Sequence, residues 1–482
     1  MIRRFLKHGA GRVRVAIIGL DCAEPSLVFE RFAADLPCLS ALRSAGMYGR
    51  LESVIPAITI PAWSCMASGK DPGTLGIYGF RNRQTHGYEQ MAIADSRAIR
   101  EPRLWDILAR YGKRSIILNV PGTYPATPID GALVSCFLTP PASRIFTYPS
   151  ELSDALRSRF GRYPFDVSNF RSDDKSRIRG EAIAMAQAHF AAARHLLERE
   201  DWDFFMLVEI GLDRMHHAFW RHFDPQHRDY RPASPFAEAI QDYYRMLDAE
   251  ISKLLPLLGE DTHLFIVSDH GAQPMDGGIC LNEWLIQQGY LSLAQPLPAG
   301  QKGMRLSDLK VDWSKTKAWG EGGYYGRLFL NVRGREPAGI VEPEAAAGLL
   351  ESIRLGLESI GDENGRPIGT RCFRPGDIYT AVNGIAPDLL VYFGDLRWRS
   401  IGTLGWNRLH LFENDTGPDD ANHRQHGLII YRPPHQGEAG QALNGAHLLQ
   451  IAPTILSLFG LPVPADMQRP PIEPIIRSRQ PL

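Results

Sequence analysis

Short runs in which almost every position is apolar recur along the chain, at residues 13–20, 115–120, 132–138, 204–210, 264–268, 328–332, 389–393 and 428–431. A strand with one wet face would alternate apolar and polar positions, so runs without alternation predict strands covered on both faces. Between them, residues 181–199, 238–255 and 450–459 carry apolar positions at helical spacing. That alternation predicts an α/β fold: a mostly parallel central sheet flanked by helices on both faces. Proline- and glycine-rich stretches at 55–79, 121–128, 140–149 and 295–303 read mostly as loops. Residues 296–368 hold Trp313, Trp319, a strand-like 326–332 and a helical 343–360, which predicts an insert or lid within a core made of 11–295 and 369–470.

Composition narrows the partners. The 482 residues are 44% hydrophobic and 22% charged, which suits a large folded core, and no internal repeat or low-complexity tract interrupts them. With 53 Lys+Arg against 54 Asp+Glu the formal net charge is −1, so no nucleic-acid polymer is expected as a partner. No apolar stretch approaches the roughly 18–20 residues of a membrane span. The basic start, residues 1–14, lacks the apolar segment and cleavage site of a secretory leader, so the expected location is cytoplasmic. The six cysteines form no Cys-x-x-Cys and read as buried free thiols. Nothing in the pattern sets an oligomeric state.

Candidate chemistry collects at predicted strand ends. Asp21 follows Ile18-Gly19-Leu20 and stands where open α/β sheets place ligands, either as a metal ligand or as a helix N-cap. After the run at 204–210, Asp213 and His217 fall at i and i+4 on one helical face, able to share a cation, with His216 pointing elsewhere; the alternative is a capping Asp before a surface His pair. Asp269-His270-Gly271 follows the run at 264–268, and both side chains reach one ion only if the chain turns at Gly271; a turn held by an Asp–His hydrogen bond is the other reading. His423 and His426 precede the run at 428–431. Thr59, between Pro56 and Pro61 and ahead of a small-residue helix, offers a hydroxyl and backbone N–H groups to an anion, or forms a plain capping turn.

Taken together, Asp, Thr, Asp-x3-His, Asp-His and His occur in that order across most of the chain. The sequence resembles the alkaline phosphatase superfamily, in its type I phosphodiesterase and nucleotide pyrophosphatase branch. The resemblance runs through Gly19-Leu20-Asp21, Pro61-Ala62-Trp63-Ser64, Gly76-Ile77-Tyr78-Gly79, Asp213 to His217, Ser268-Asp269-His270-Gly271, Ala386-Pro387-Asp388, His423 and Ile451-Ala452-Pro453-Thr454. It implies two zinc ions, with manganese or iron as substitutes: one on Asp213, His217 and His423, the other on Asp21, Asp269 and His270. Thr59 becomes the nucleophile beside the second ion, and His423 is preferred over His426 by its spacing to Gly427. The implied activity is that of a metal-dependent phosphoric ester hydrolase, a phosphodiesterase acting on a small-molecule phosphate ester. Phe80 stands where the nucleotide pyrophosphatase pattern has a phosphate-holding Asn, which leaves the substrate class open.

Elementary energetics point the same way. Phosphate esters need rate enhancements of up to the order of 10²¹, while one general acid or base supplies about 10² to 10⁴, so metal assistance is expected. A sulfatase is excluded because residues 65–69 lack the Cys-x-Pro-x-Arg frame. A phosphomonoesterase or a phosphomutase of the same superfamily remains an alternative, the mutase needing a lid to keep water out. A metal-stabilised binding protein without turnover is the alternative from another class. The apolar neighbours Ile58, Ile60, Ala62 and Trp63 favour a diester over a monoester.

Overall fold

The computed structural model describes residues 12–88, 91–298, 300–434 and 440–478; most of the basic start lies outside the described residues. Nine strands form the principal sheet: β1 (Arg14–Leu20), β2 (Met47–Glu52), β3 (Ser115–Leu118), β4 (Gly131–Val134), β5 (Thr147–Tyr148), β6 (Phe204–Glu209), β7 (Thr262–Val267), β8 (His426–Arg432) and β9 (Gln441–His447). Their spatial order is β9-β2-β8-β7-β1-β6-β3-β4-β5. The central run β7-β1-β6-β3-β4 is parallel throughout. Strand β8 is antiparallel to both of its neighbours, and β5 is antiparallel to β4.

Successive side chains of β1 feed opposite layers, as a sheet buried on both faces requires. Ile18 and Leu20 join Phe205 and Leu207 beneath the helices Lys175–Leu197, Gly211–Phe223 and Ala239–Leu258. Ile17 joins Met206, Val208 and Trp63 beneath Thr59–Ser68 and Ile451–Leu458. The stretch 55–79, read as mostly loop, is therefore helical over Thr59–Ser68 and Pro72–Leu75. Pro61 and Pro72 sit in the first turns of these helices, where a missing N–H costs nothing.

The apolar runs near 328 and 389 belong to a second sheet. Ala318–Glu321, Gly326–Leu330, Leu389–Tyr392 and Arg371–Phe373 pair antiparallel, with the helix Pro343–Glu358 and their own apolar core beside them. A short buried run does not encode which sheet it joins. This sheet draws strands from both sides of residue 368. Asp388 ties it together by accepting both Arg335 Nη1–H and Nη2–H at 2.8 Å and Leu330 N–H at 2.7 Å. No helix of the described residues is long and apolar enough to cross a membrane. All six cysteines are unpaired; Cys22, Cys65, Cys136 and Cys280 are buried, and Cys38 and Cys372 are half-buried.

Candidate metal centre

Three adjacent parallel strands end in line. Leu20 pairs with Glu209 and Gly19 with Val267, so the segments leaving β1, β6 and β7 emerge side by side at the carboxyl edge of the sheet. Asp21 leaves β1 directly, Asp213 lies in the first turn of Gly211–Phe223, and Asp269-His270 follow β7. Gly19 has no room for a side chain: a Cβ there would stand 2.4 Å from the Trp63 ring. That close approach lets Trp63 Nε1–H donate to Asp21 Oδ2 at 2.7 Å. At Gly271 the need is likewise space rather than a left-handed turn, since a Cβ would meet the His426 carbonyl oxygen at 2.4 Å.

The seven side chains expected from the sequence converge and are buried. Asp213 Oδ1 lies 3.2 Å from His217 Nε2 and 3.5 Å from His423 Nε2, and those two nitrogens are 3.4 Å apart. Beside them, His270 Nε2 lies 3.2 Å from Asp269 Oδ2, 3.8 Å from Asp21 Oδ1 and 3.5 Å from Thr59 Oγ1. Ligand atoms of Asp213, His217 and His423 lie within 4.8 Å of one another, as do those of Asp21, Asp213 and His270. Asp213 thus faces both groups rather than one, and Asp269 joins through His270. His426 stands apart, in β8 opposite Glu52. His216 also points away, as expected, between Trp220 and Tyr244.

The donor set fits divalent cations. Asp21 Oδ1, Asp213 Oδ1 and Asp269 Oδ2 are buried and accept no hydrogen bond. Burial and then the Asp213 charge push the Asp21 carboxyl well above its usual range, and burial and then Asp21 do the same to Asp269. Burial also opposes the Asp213 charge, but His217, His423 and Arg214 together outweigh it and hold that carboxyl well down. Three carboxylates crowded out of water need a compensating cation if they are to ionise together.

The imidazoles are set to present lone pairs to the same space. His423 Nδ1–H donates to the Ala57 carbonyl at 2.9 Å, and His270 Nδ1–H to the Gly271 carbonyl at 3.2 Å. His217 Nδ1–H donates to Asp419 Oδ1 at 2.7 Å. A carbonyl can only accept, so Nδ1 carries the proton and Nε2 keeps its lone pair free. Asp419, 202 residues from His217, is absent from the sequence reading, because Pro418-Asp419-Asp420 reads as an ordinary loop. Asp419 Oδ2 accepts from Arg171 Nε at 2.8 Å and Arg399 Nη1 at 3.2 Å. Tyr324 was equally illegible; its ring stacks on His423 at 4.3 Å and on His217 at 4.9 Å.

Thr59 opens its helix after an extended Ile58, so the N–H groups of Thr59 and Ile60 have no partner within the helix, and Pro61 has none to offer. Phe80 packs edge-on against Phe137. Nearby Asn82 turns inward on its own loop, accepting Tyr78 N–H and donating to the Gly79 carbonyl.

Comparison with curated protein sequences gave no match. Among solved structures, human ectonucleotide pyrophosphatase/phosphodiesterase 5 superposes with a TM-score of 0.56 at 12% identity, covering 96% of this chain and 99% of its own. Phosphonoacetate hydrolase from Sinorhizobium meliloti, solved with phosphonoformate, gives 0.59 at 14% identity over 93% and 95%. An inactive threonine-to-alanine variant of the murine ectonucleotide pyrophosphatase/phosphodiesterase 5, in complex with AMP, gives 0.53 at 12% over 94% and 96%. The family model for type I phosphodiesterase / nucleotide pyrophosphatase matches residues 15–427, and the chain belongs to that family of the alkaline phosphatase superfamily.

Proposed function

We propose that the protein is a two-metal phosphodiesterase in which Thr59 is the nucleophile and Asp21, Asp213, His217, Asp269, His270 and His423 hold two zinc ions. One observation carries the reading: three unpaired buried carboxylate oxygens and three imidazole Nε2 atoms meet beside the Thr59 hydroxyl. When bound there, the ions supply Lewis-acid stabilisation of charge on the attacking and departing oxygens. Thr59 Oγ1 bonds to phosphorus as the ester P–O bond breaks, and the departing alcohol leaves with a proton. The N–H groups of Thr59 and Ile60 face the non-bridging oxygens at the helix N-terminus. Water then displaces Thr59 from phosphorus and restores the hydroxyl. The inactive threonine-to-alanine murine relative is in keeping with a threonine nucleophile.

Two engaged arginines support a diester. Arg214, beside the cluster, is held by Asp213 at 2.5 Å and by Asp166 at 2.8 and 2.9 Å. Arg171 is held by Asp419 and the Tyr324 hydroxyl. Both guanidinium charges are already offset by carboxylates rather than free for the extra charge of a monoester dianion. The test is phosphoester cleavage by the zinc-loaded protein, with and without chelator, comparing kcat/KM for an aryl phosphate and its monoalkyl diester at matched leaving group. A diester preference abolished by chelator is expected. A monoester preference, transfer of phosphate within one substrate, or zinc binding without turnover overturns the reading. A screen across nucleotide, lipid, sugar and phosphonate esters then sets the substrate class.

A further inference from the structure

A stack of four flat groups leads away from the nucleophile. His270, 3.5 Å from Thr59 Oγ1, stacks on His423 at 3.8 Å; His423 stacks on Tyr324 at 4.3 Å; the Arg399 guanidinium lies 5.0 Å from the centre of the Tyr324 ring. Beyond Arg399 is a cavity of about 320 Å³, bordered by Arg81, Arg305, Arg399, Thr403, Glu321 and Asp415. Arg399 is 6% exposed, yet of its five N–H donors only two find partners, Asp419 at 3.2 Å and Thr416 at 3.3 Å, and its buried Nε has none. A guanidinium so placed lacks an acceptor with several oxygens. Of the two carboxylates on the wall, Asp415 already accepts from Thr403 at 2.8 Å. Arg305 is exposed and shared with Asp308, and Arg81 is exposed.

We propose that this cavity binds a small oxyanion, of the phosphate or carboxylate class, on Arg399 with Arg81 and Arg305. Its position is separate from the scissile phosphate, because Tyr324 and His423 stand between the two. The anion is either the far end of an extended diester substrate, in which case the inference rests on the function proposed above, or a free ion. In both cases it is sensed at the metals, since Arg399 also holds the Asp419 that orients His217.

The probe is inorganic phosphate titrated calorimetrically into the zinc-loaded protein. Two binding events are expected in the native protein, one at the metals and one in the cavity. Only the first should remain in Arg81→Met/Arg305→Met. Arg81→Met alone, on an exposed side chain, should weaken the second event and serves if the double variant folds poorly. A single event in the native protein, or two unchanged events in the variants, overturns the proposal. The source follows from paired aryl diesters whose second substituent ends in a phosphate or in a neutral hydroxyl. If the cavity takes the substrate's far end, the charged diester gains about tenfold in kcat/KM and loses that gain in the double variant. If the ion is free, the pair is cleaved alike while phosphate slows zinc release to chelator in the native protein alone. Failure of the diesterase reading shows differently: no diester is cleaved, and the count of phosphate-binding events is untouched.

Discussion

The two halves of the centre use the same ligand chemistry and are held by different means. Around Asp213 and His217 the support is ionic, with only His423 resting on a backbone carbonyl: Asp419 fixes His217, Arg171 and Arg399 fix Asp419, and Arg214 fixes Asp213. Around Asp21, Asp269 and His270 it is neutral: the Trp63 N–H on Asp21, the Cys22 N–H on Asp269 at 3.3 Å and a backbone carbonyl on His270. Cys22 itself sits at φ 66, a strained conformation for a residue with a side chain, in the turn that carries Asp21. On the function proposed above, the ionic half is expected to hold its ion the more tightly, and the neutral half, which touches Thr59, to be emptied first.

The sharpest way to break this comparison is to remove the proposed nucleophile without touching either half. Thr59→Ala is expected to lower kcat by about 10³-fold or more while two zinc ions remain bound. Ser64, five positions on, donates to the Ile60 carbonyl at 2.6 Å inside the same helix, so Ser64→Ala should change turnover by less than about twofold. Kinetics alongside zinc analysis decide it: an active Thr59→Ala or a dead Ser64→Ala places the nucleophile elsewhere. Ligand removal comes next. Because Asp213 faces both groups, Asp213→Ala should lose both ions, whereas Asp21→Ala should lose one, each with at least about a 100-fold loss of activity. Equal stoichiometry in the two variants would show that Asp213 serves one ion only.

A smaller effect separates the supports. Asp419→Asn should weaken zinc binding about 10- to 100-fold at one half alone, seen as one shifted step in a two-step chelator titration. Trp63→Phe, which deletes a single neutral hydrogen bond to Asp21, should weaken the other step by about fivefold. A shift of both steps in either variant means that the halves are not independently held.

How much of this was legible differs between ligands and supports. Ligand candidates sit at strand ends, where a buried apolar run stops at Asp or Asp-His, and an i, i+4 pair declares its own face. Those signals are local, and the structure brings all seven residues together. Asp419, Tyr324, Arg171 and Arg399 reach the centre from separate loops and from the edge of another sheet, through contacts spanning up to 248 residues. Nothing local marks them. The fold shows the same division: β6 and β7 are buried along their whole length and were plain. Strands β2 and β9 are not legible because exposed polar positions and inner glycines interrupt their apolar pattern.

The smallest effect on catalysis is expected from the residue beside the most exacting one. His216 and His217 are neighbours in one helix, and both are buried. His217 turns to Asp213, Asp419 and His423, while both His216 ring nitrogens lack partners between Trp220 and Tyr244. Burial, only partly offset by Asp213, lowers the His216 pKa to about 3. An unfolded chain takes up that proton below about pH 6.5, and the folded one refuses it until about pH 3. Between those values the unfolded state binds more protons, so His216 lowers stability as pH falls, by up to about 1.4 kcal/mol per pH unit. His216→Leu, which keeps the space apolar, should flatten the acid limb of the stability profile by that slope. At neutral pH it should keep both zinc ions and turnover within about twofold, whereas His217→Leu should lose metal. Denaturant titrations from pH 4 to 7, run with zinc analysis, test both halves of the claim. Zinc loss in His216→Leu, or an unchanged acid limb, would mean that this face of the helix also serves the metals.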